Sequence, residues 1–213
     1  MFIKINSIAT NMIILDYETT GRNPEKHAII AWGAVDFNNS TNVFYEEPRI
    51  WKGAEIDSKA LEINGFTVAE IGSPSRPSLE KVIKRFDTWA RSCSDRILAG
   101  ENFASFDLQF YEANMRRLRL LYTFKHRGVD LHSACIIHML NRDVDPPLDK
   151  EGNSTLNSDA IFAYVGLPSE PKPHHALTGA KMEAEAFSRL IYGKGLLPEY
   201  ESVDLNEFLS EKE

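Results

Sequence analysis

A chain of 213 residues, 43% hydrophobic and 26% charged, can bury a sizeable core and is of a length for one domain. Its formal charge of −7 excludes a protein that coats nucleic acid by bulk electrostatics, since that affinity grows with each phosphate neutralised. The longest apolar runs, such as Met12 to Leu15, fall far short of the roughly 18 residues of a membrane span. Cys93 and Cys135 lack CxxC spacing and indicate neither a disulfide framework nor a structural zinc. A cytoplasmic location and no membrane partner are therefore expected.

Residues 1–11, MFIKINSIATN, read as a short extension without the apolar core of a secretory signal. MIILDYE from Met12 reads as a buried strand running into a polar turn, HAIIAWGAVDF from His27 as a second and NVFYEEPRIW from Asn42 as a third. The turn residues between them, Gly21, Asn38 and Asn39, suggest an antiparallel meander. From Ser78, a reasonable N-cap, Leu79, Val82, Phe86 and Trp89 recur at helical spacing. RILAG is then a short strand, and Leu108, Tyr111, Met115 and Leu118 share a face of the next helix. Further helices are expected at Leu131 to Leu140, Thr155 to Tyr164 and Ala176 to Ile191, with 143–154 a solvated acidic loop lacking calcium-loop spacing.

Three segments carry chemistry. Asp16 and Glu18 end the first strand, and the two-residue period of a strand puts both carboxylates on one face. Such a pair repels itself unless a divalent cation lies between, and oxygen ligands suit Mg2+ or Mn2+; the alternative is an exposed strand end that is acidic by chance. In ENFASFD, Asp107 opens a helix, where an acid complements the dipole, and Asn102 stands just upstream. His174 and His175 precede the last long helix, where a histidine serves as a cap or as a base.

Taken together, ILDYETTG, NFASFD and HHALTGA resemble the three exonuclease motifs of the DEDDh 3′-to-5′ exonucleases, a family that includes polymerase proofreading subunits and oligoribonuclease. The resemblance runs from about Met12 to about Leu190. It implies an α/β, ribonuclease-H-like fold: a mixed five-stranded sheet, antiparallel in its first three strands, flanked by helices. The domain is expected at 12–195, with a tail at 196–213 that carries no obvious polymerase- or clamp-binding motif. By the same resemblance, Asp16, Glu18 and Asp107 bind two divalent ions, His174 is the base that deprotonates water, and single-stranded DNA or RNA 3′ ends are the substrate. Thr19, Thr20 and Gly21 would hold the terminal nucleotide together with Asn102. Ile63 and Phe66 stand where related enzymes wedge against terminal bases, burial in the core being the alternative. An acidic nuclease is physically coherent, because its carboxylates bind cations that in turn bind phosphate.

One position departs from the family pattern HxAxxDA, which has aspartate where this chain has Gly179. Either another acid substitutes, or the chain is a catalytically impaired binder of nucleic-acid ends on the same fold. Glu183 is the substitute expected on helical geometry. It lies one turn after Gly179, and helical side chains lean towards the N-terminus. A solvated acid paired with Lys181 is the competing reading, while Glu185 points well around the helix. Arg116, Arg117, Arg119, Lys125 and Arg127 form a basic cluster that suits either a helix C-terminus or contacts to the strand body.

Overall fold

Alternation along the first strand organises the molecule. In the computed structural model, which describes residues 11–125 and 127–205, β1 (Ile13–Thr19) sends Ile13, Leu15 and Tyr17 into one apolar cluster and Ile14 into another on the opposite face. β2 (Ile29–Asp36), buried on both faces, pairs antiparallel with β1, and β3 (Val43–Glu46) pairs antiparallel with β2. β4 (Leu98–Gly100) and β5 (Gly128–Asp130) add in parallel, giving the five-stranded order β3-β2-β1-β4-β5. The expected meander and mixed sheet are thus present. The third strand is shorter than the run read for it because Pro48, with no N–H to give to a ladder, stands two residues after its end at Glu46.

Helices cover both faces. α1 (Ser58–Asn64) and α2 (Val68–Ile71) follow β3, and α3 (Leu79–Ala90) and α4 (Asp107–Leu118) pack on the Ile13 and Leu15 side, where Trp32 and Phe86 meet at 4.3 Å. α5 (Leu131–Asn141), α6 (Ser158–Tyr164) and α7 (Ala176–Tyr192) pack on the Ile14 side. α6 starts at Ser158, later than its apolar pattern suggests, because Asn157 caps it by accepting from the Ala160 amide at 2.9 Å. α7 stops where Gly193 adopts φ 61°.

A missing side chain sets α7 against the sheet. Gly33 is the β2 partner of Asp16 in the ladder, and a Cβ there would collide with the backbone of Ala176 and Leu177. The missing side chain therefore lets the first turn of α7 lie directly over Asp16. Beyond the expected boundary at 195 the chain stays packed on the domain, with Leu197 buried and Arg189 donating to the carbonyls of Tyr200, Val203 and Asp204. Most of the expected extension, residues 1–10, and the end of the expected tail, 206–213, lie outside the described residues. Among the described residues no helix is long and apolar enough to cross a membrane.

Candidate active site

The face of β1 that carries Ile14 continues with Asp16 and Glu18, so strand period places both acids beneath α7 at the mouth of a cleft of about 630 Å³. Asp107, the first residue of α4, enters from the neighbouring crossover and is 3% exposed; its Oδ1 has no hydrogen-bond partner. Glu183 reaches in from α7, is buried, and accepts the Glu101 amide at 3.1 Å. The competing reading of Glu183 as a solvated partner of Lys181 is overturned, since Lys181 bonds Glu199 at 2.9 Å instead. Four carboxylates from three different elements thus line one cleft.

His174 is 30% exposed at the rim, and its Nδ1 lies 3.4 Å from Oε2 of Glu170. Its backbone N–H donates to Ile63 O at 3.0 Å, which ties this loop to α1. His175 does not line the cleft: its ring stacks on Tyr45 at 4.4 Å. Of the two histidines, the one expected to act is the one at the site.

The other expected residues divide. Thr19, Gly21, Asn102 and Ile63 line the cleft, and Ile63 is 50% exposed, so it is not a core residue. Thr20 is fully buried; its hydroxyl donates to Glu55 O at 2.7 Å and accepts from the Ala28 amide at 2.9 Å, so the side chain is spent on holding the turn after β1. Phe66 stands outside the cleft lining with the Arg76 guanidinium 4.7 Å over its ring. Of the basic cluster, Arg116 bonds Glu25 at 2.8 Å, and Arg117 donates to Pro24 O at 3.1 Å and lies 4.2 Å over Trp51, so both brace α4 against the loop after β1.

Sequence reasoning missed Glu101, Asn64, Arg22 and Glu170, all of which line the cleft. Glu101 had a signal in its adjacency to Asn102, whose Nδ2 donates to Glu101 Oε1 at 2.7 Å. Asn64 donates to Thr19 O at 3.1 Å, so it holds the end of β1 from below. Glu170 sits in an irregular loop between α6 and α7, where no periodicity announces it.

The electrostatics follow from crowding acids away from water. Burial first, then Glu170, push Asp16 up to about 8, although the cleft still admits solvent to it. Burial and then Asp16 push Glu18 up to about 9. Burial pushes Glu101 up to about 7, and burial followed by Asp16 raises both Asp107 and Glu183 well above the usual carboxylate range. Among the described residues no Lys or Arg bonds to any of them. Such a cluster costs stability unless a cation balances it. The all-oxygen donor set and the orphaned Asp107 Oδ1 fit a hard divalent cation.

Residues 13–187 match the exonuclease family of the ribonuclease T type. The chain is 29% identical over 180 residues to a PolC-type DNA polymerase III from Thermotoga maritima, covering 84% of this chain but 12% of that protein. Its fold is similar to the nuclease domain of 3′hExo, a DEDDh family member solved with rAMP (TM-score 0.69, 16% identity, covering 94% of this chain and 98% of that one). It is also similar to Escherichia coli Exonuclease I in complex with a dT13 oligonucleotide (TM-score 0.64, 13% identity, covering 84% and 41%). The chain belongs to the DEDDh exonuclease family and has its ribonuclease-H-like fold. That family is one of metal-dependent nucleases, and the chain spans about an eighth of the curated polymerase relative it matches (12%).

Proposed function

We propose that this chain removes nucleotides one at a time from the 3′ ends of single-stranded DNA or RNA, releasing nucleoside 5′-monophosphates. The observation that carries the reading is the meeting of Asp16 with the buried Glu18, Asp107 and Glu183, none bonded to a Lys or Arg among the described residues, with His174 at the rim of the same cleft. We assign these four carboxylates to divalent cations, Mg2+ or Mn2+. Two such ions would acidify the attacking water and neutralise charge developing on the leaving 3′ oxygen. The rAMP and oligonucleotide bound by the similar structures support a substrate of this class.

The chain's own residues supply the rest. Contact of His174 Nδ1 with the Glu170 carboxylate favours the proton on Nδ1 and leaves Nε2 as the basic nitrogen. Nε2 takes a proton from water as the water oxygen bonds to phosphorus. The bond to the penultimate nucleotide's 3′ oxygen breaks, and the proton passes to solvent or to that oxygen. Gly21 lines the cleft, and a Cβ there would come within 2.5 Å of the His27 ring, so this turn of the cleft wall takes only glycine. Ile63 offers an exposed apolar surface for a terminal base, and Asn102 a polar one in the same cleft.

The test is a 3′-end-labelled oligonucleotide incubated with Mn2+ or Mg2+ and, in parallel, with a chelator. Labelled mononucleotide that appears only with metal is the expected result, and parallel DNA and RNA substrates define the sugar preference. Tight end binding with no metal-dependent product would replace the exonuclease reading with that of an end-binding protein.

A further inference from the structure

We propose that Glu170, from the loop before α7, supplies the metal-binding carboxylate that Gly179 lacks, so that this acidic position of the site comes from the loop and not from the helix. The inference rests on the reading of the cleft as a divalent-cation site and adds a residue to it.

Four observations converge on Glu170. A Cβ built at Gly179 would collide with Asp16 Oδ2 and lie 3.5 Å from Glu170 Oε1. The space an aspartate side chain would fill at position 179 is therefore already shared by the Asp16 and Glu170 carboxylates, and the glycine makes room for both. Glu170 is also held in place: its backbone N–H donates to Asp159 Oδ1 at 3.2 Å, and its Oε1 accepts the His175 amide at 3.3 Å. Its side chain is only 9% exposed, and a carboxylate so enclosed needs a cationic partner. Glu18, Glu170 and His174 each present one ligand atom, all within 4.8 Å of one another. Independently of this group, the unpartnered Oδ1 of Asp107, in a residue 3% exposed, lines the same cleft.

Glu183 occupies a different quarter. Its Oε2 takes the Glu101 amide and lies 3.5 Å from where a Cβ on Gly100 would stand, at the end of β4. Its strongest acidic neighbours are Asp16, Asp107 and Glu101, whereas Glu170 acts on Asp16 and Glu18. The two glutamates thus flank Asp16, with Glu170 on the His174 side and Glu183 on the Asp107 side.

Calorimetric titration with Mn2+, with no nucleic acid present, decides the matter. Glu170→Gln is expected to weaken Mn2+ binding about 10- to 100-fold or to lose one binding event, while keeping a cooperative thermal transition. Wild-type Mn2+ affinity and stoichiometry in Glu170→Gln, with loss in Asp16→Asn, would overturn the proposal and leave the metal site standing. No Mn2+ binding by the wild-type chain would overturn both.

Discussion

Glu183 and Glu185 are near neighbours on α7 and both are buried, yet the fold treats them in opposite ways. Glu185 is 0% exposed and fully answered: Oε1 accepts from Arg189 Nε at 2.8 Å, and Oε2 accepts the Leu196 and Leu197 amides at 2.7 and 2.8 Å. Arg189 spends its remaining N–H groups on carbonyls of Val165, Tyr200, Val203 and Asp204. Glu183 accepts one backbone amide and otherwise faces Asp16, Asp107 and Glu101, all acids. One face of the helix thus uses a buried charge to fasten the chain beyond residue 195. The other gathers charges that the protein alone leaves unbalanced, which is the pattern of a site waiting for a cation.

If that contrast is right, removing a charge must have opposite consequences at the two places. The largest effect is expected at Asp16→Asn, which should abolish metal-dependent hydrolysis and Mn2+ binding while raising the Tm of the chelated protein, because repulsion is relieved as a ligand is lost. Retained turnover at saturating metal would break the comparison. His174→Ala should slow single-turnover hydrolysis by about 10²- to 10⁴-fold, the usual worth of a positioned base. His175→Ala, which disturbs only the stack on Tyr45, should leave the rate within a few-fold of wild type. Arg189→Leu, by contrast, should leave Mn2+ affinity intact and cost about 3–5 kcal/mol, on the order of 10 °C in Tm, because it strands a buried carboxylate and frees four carbonyls. A drop of only a degree or two in a melting curve would show that the buried pair is dispensable.

How much of this the sequence disclosed depends on whether a residue sits in a periodic element. Strand period puts Asp16 and Glu18 on one face and helical period puts Glu183 one turn after Gly179, whereas only the resemblance of the motifs brings Asp107, at the start of its helix, to the same site. Glu170 could not be placed that way. Its position depends on the Glu170 amide meeting Asp159 and on Pro173 packing against Gly65, where the proline ring leaves no room for a Cβ. Their place in the motifs points to Thr20 as a substrate contact and to Phe66 as either a wedge against terminal bases or a core residue. The hydroxyl of Thr20 is consumed by Glu55 and Ala28, and the ring of Phe66 is covered by Arg76, contacts that come from distant parts of the chain. Motif order conveys which segments meet, while tertiary hydrogen bonding decides which side chains in them remain available.

The smallest expected effect is a pH dependence of metal-free stability, and its sign follows from the raised carboxyls. Asp16, Glu18 and Glu101 hold their protons in the folded chain up to about 8, 9 and 7, against 3.8, 4.5 and 4.5 when unperturbed. Between those limits the native state binds more protons than the unfolded one, so unfolding free energy falls as pH rises. Below the unperturbed values both states are protonated and nothing is lost; the loss accumulates across the window and is complete above the folded values. In chelator, Tm should therefore decline from about pH 5 towards about pH 9, by several degrees. Mn2+ should recover more stability at the upper end of that range than at the lower, because protons no longer compete for the oxygens. Asp16→Asn should flatten the decline, since it removes one titrating group and the main repulsive neighbour of Glu18 and Asp107. A chelated Tm that rises with pH across this window would mean that the carboxylates are balanced within the protein, as Glu185 is by Arg189, and that the cleft holds no charge for a cation to answer.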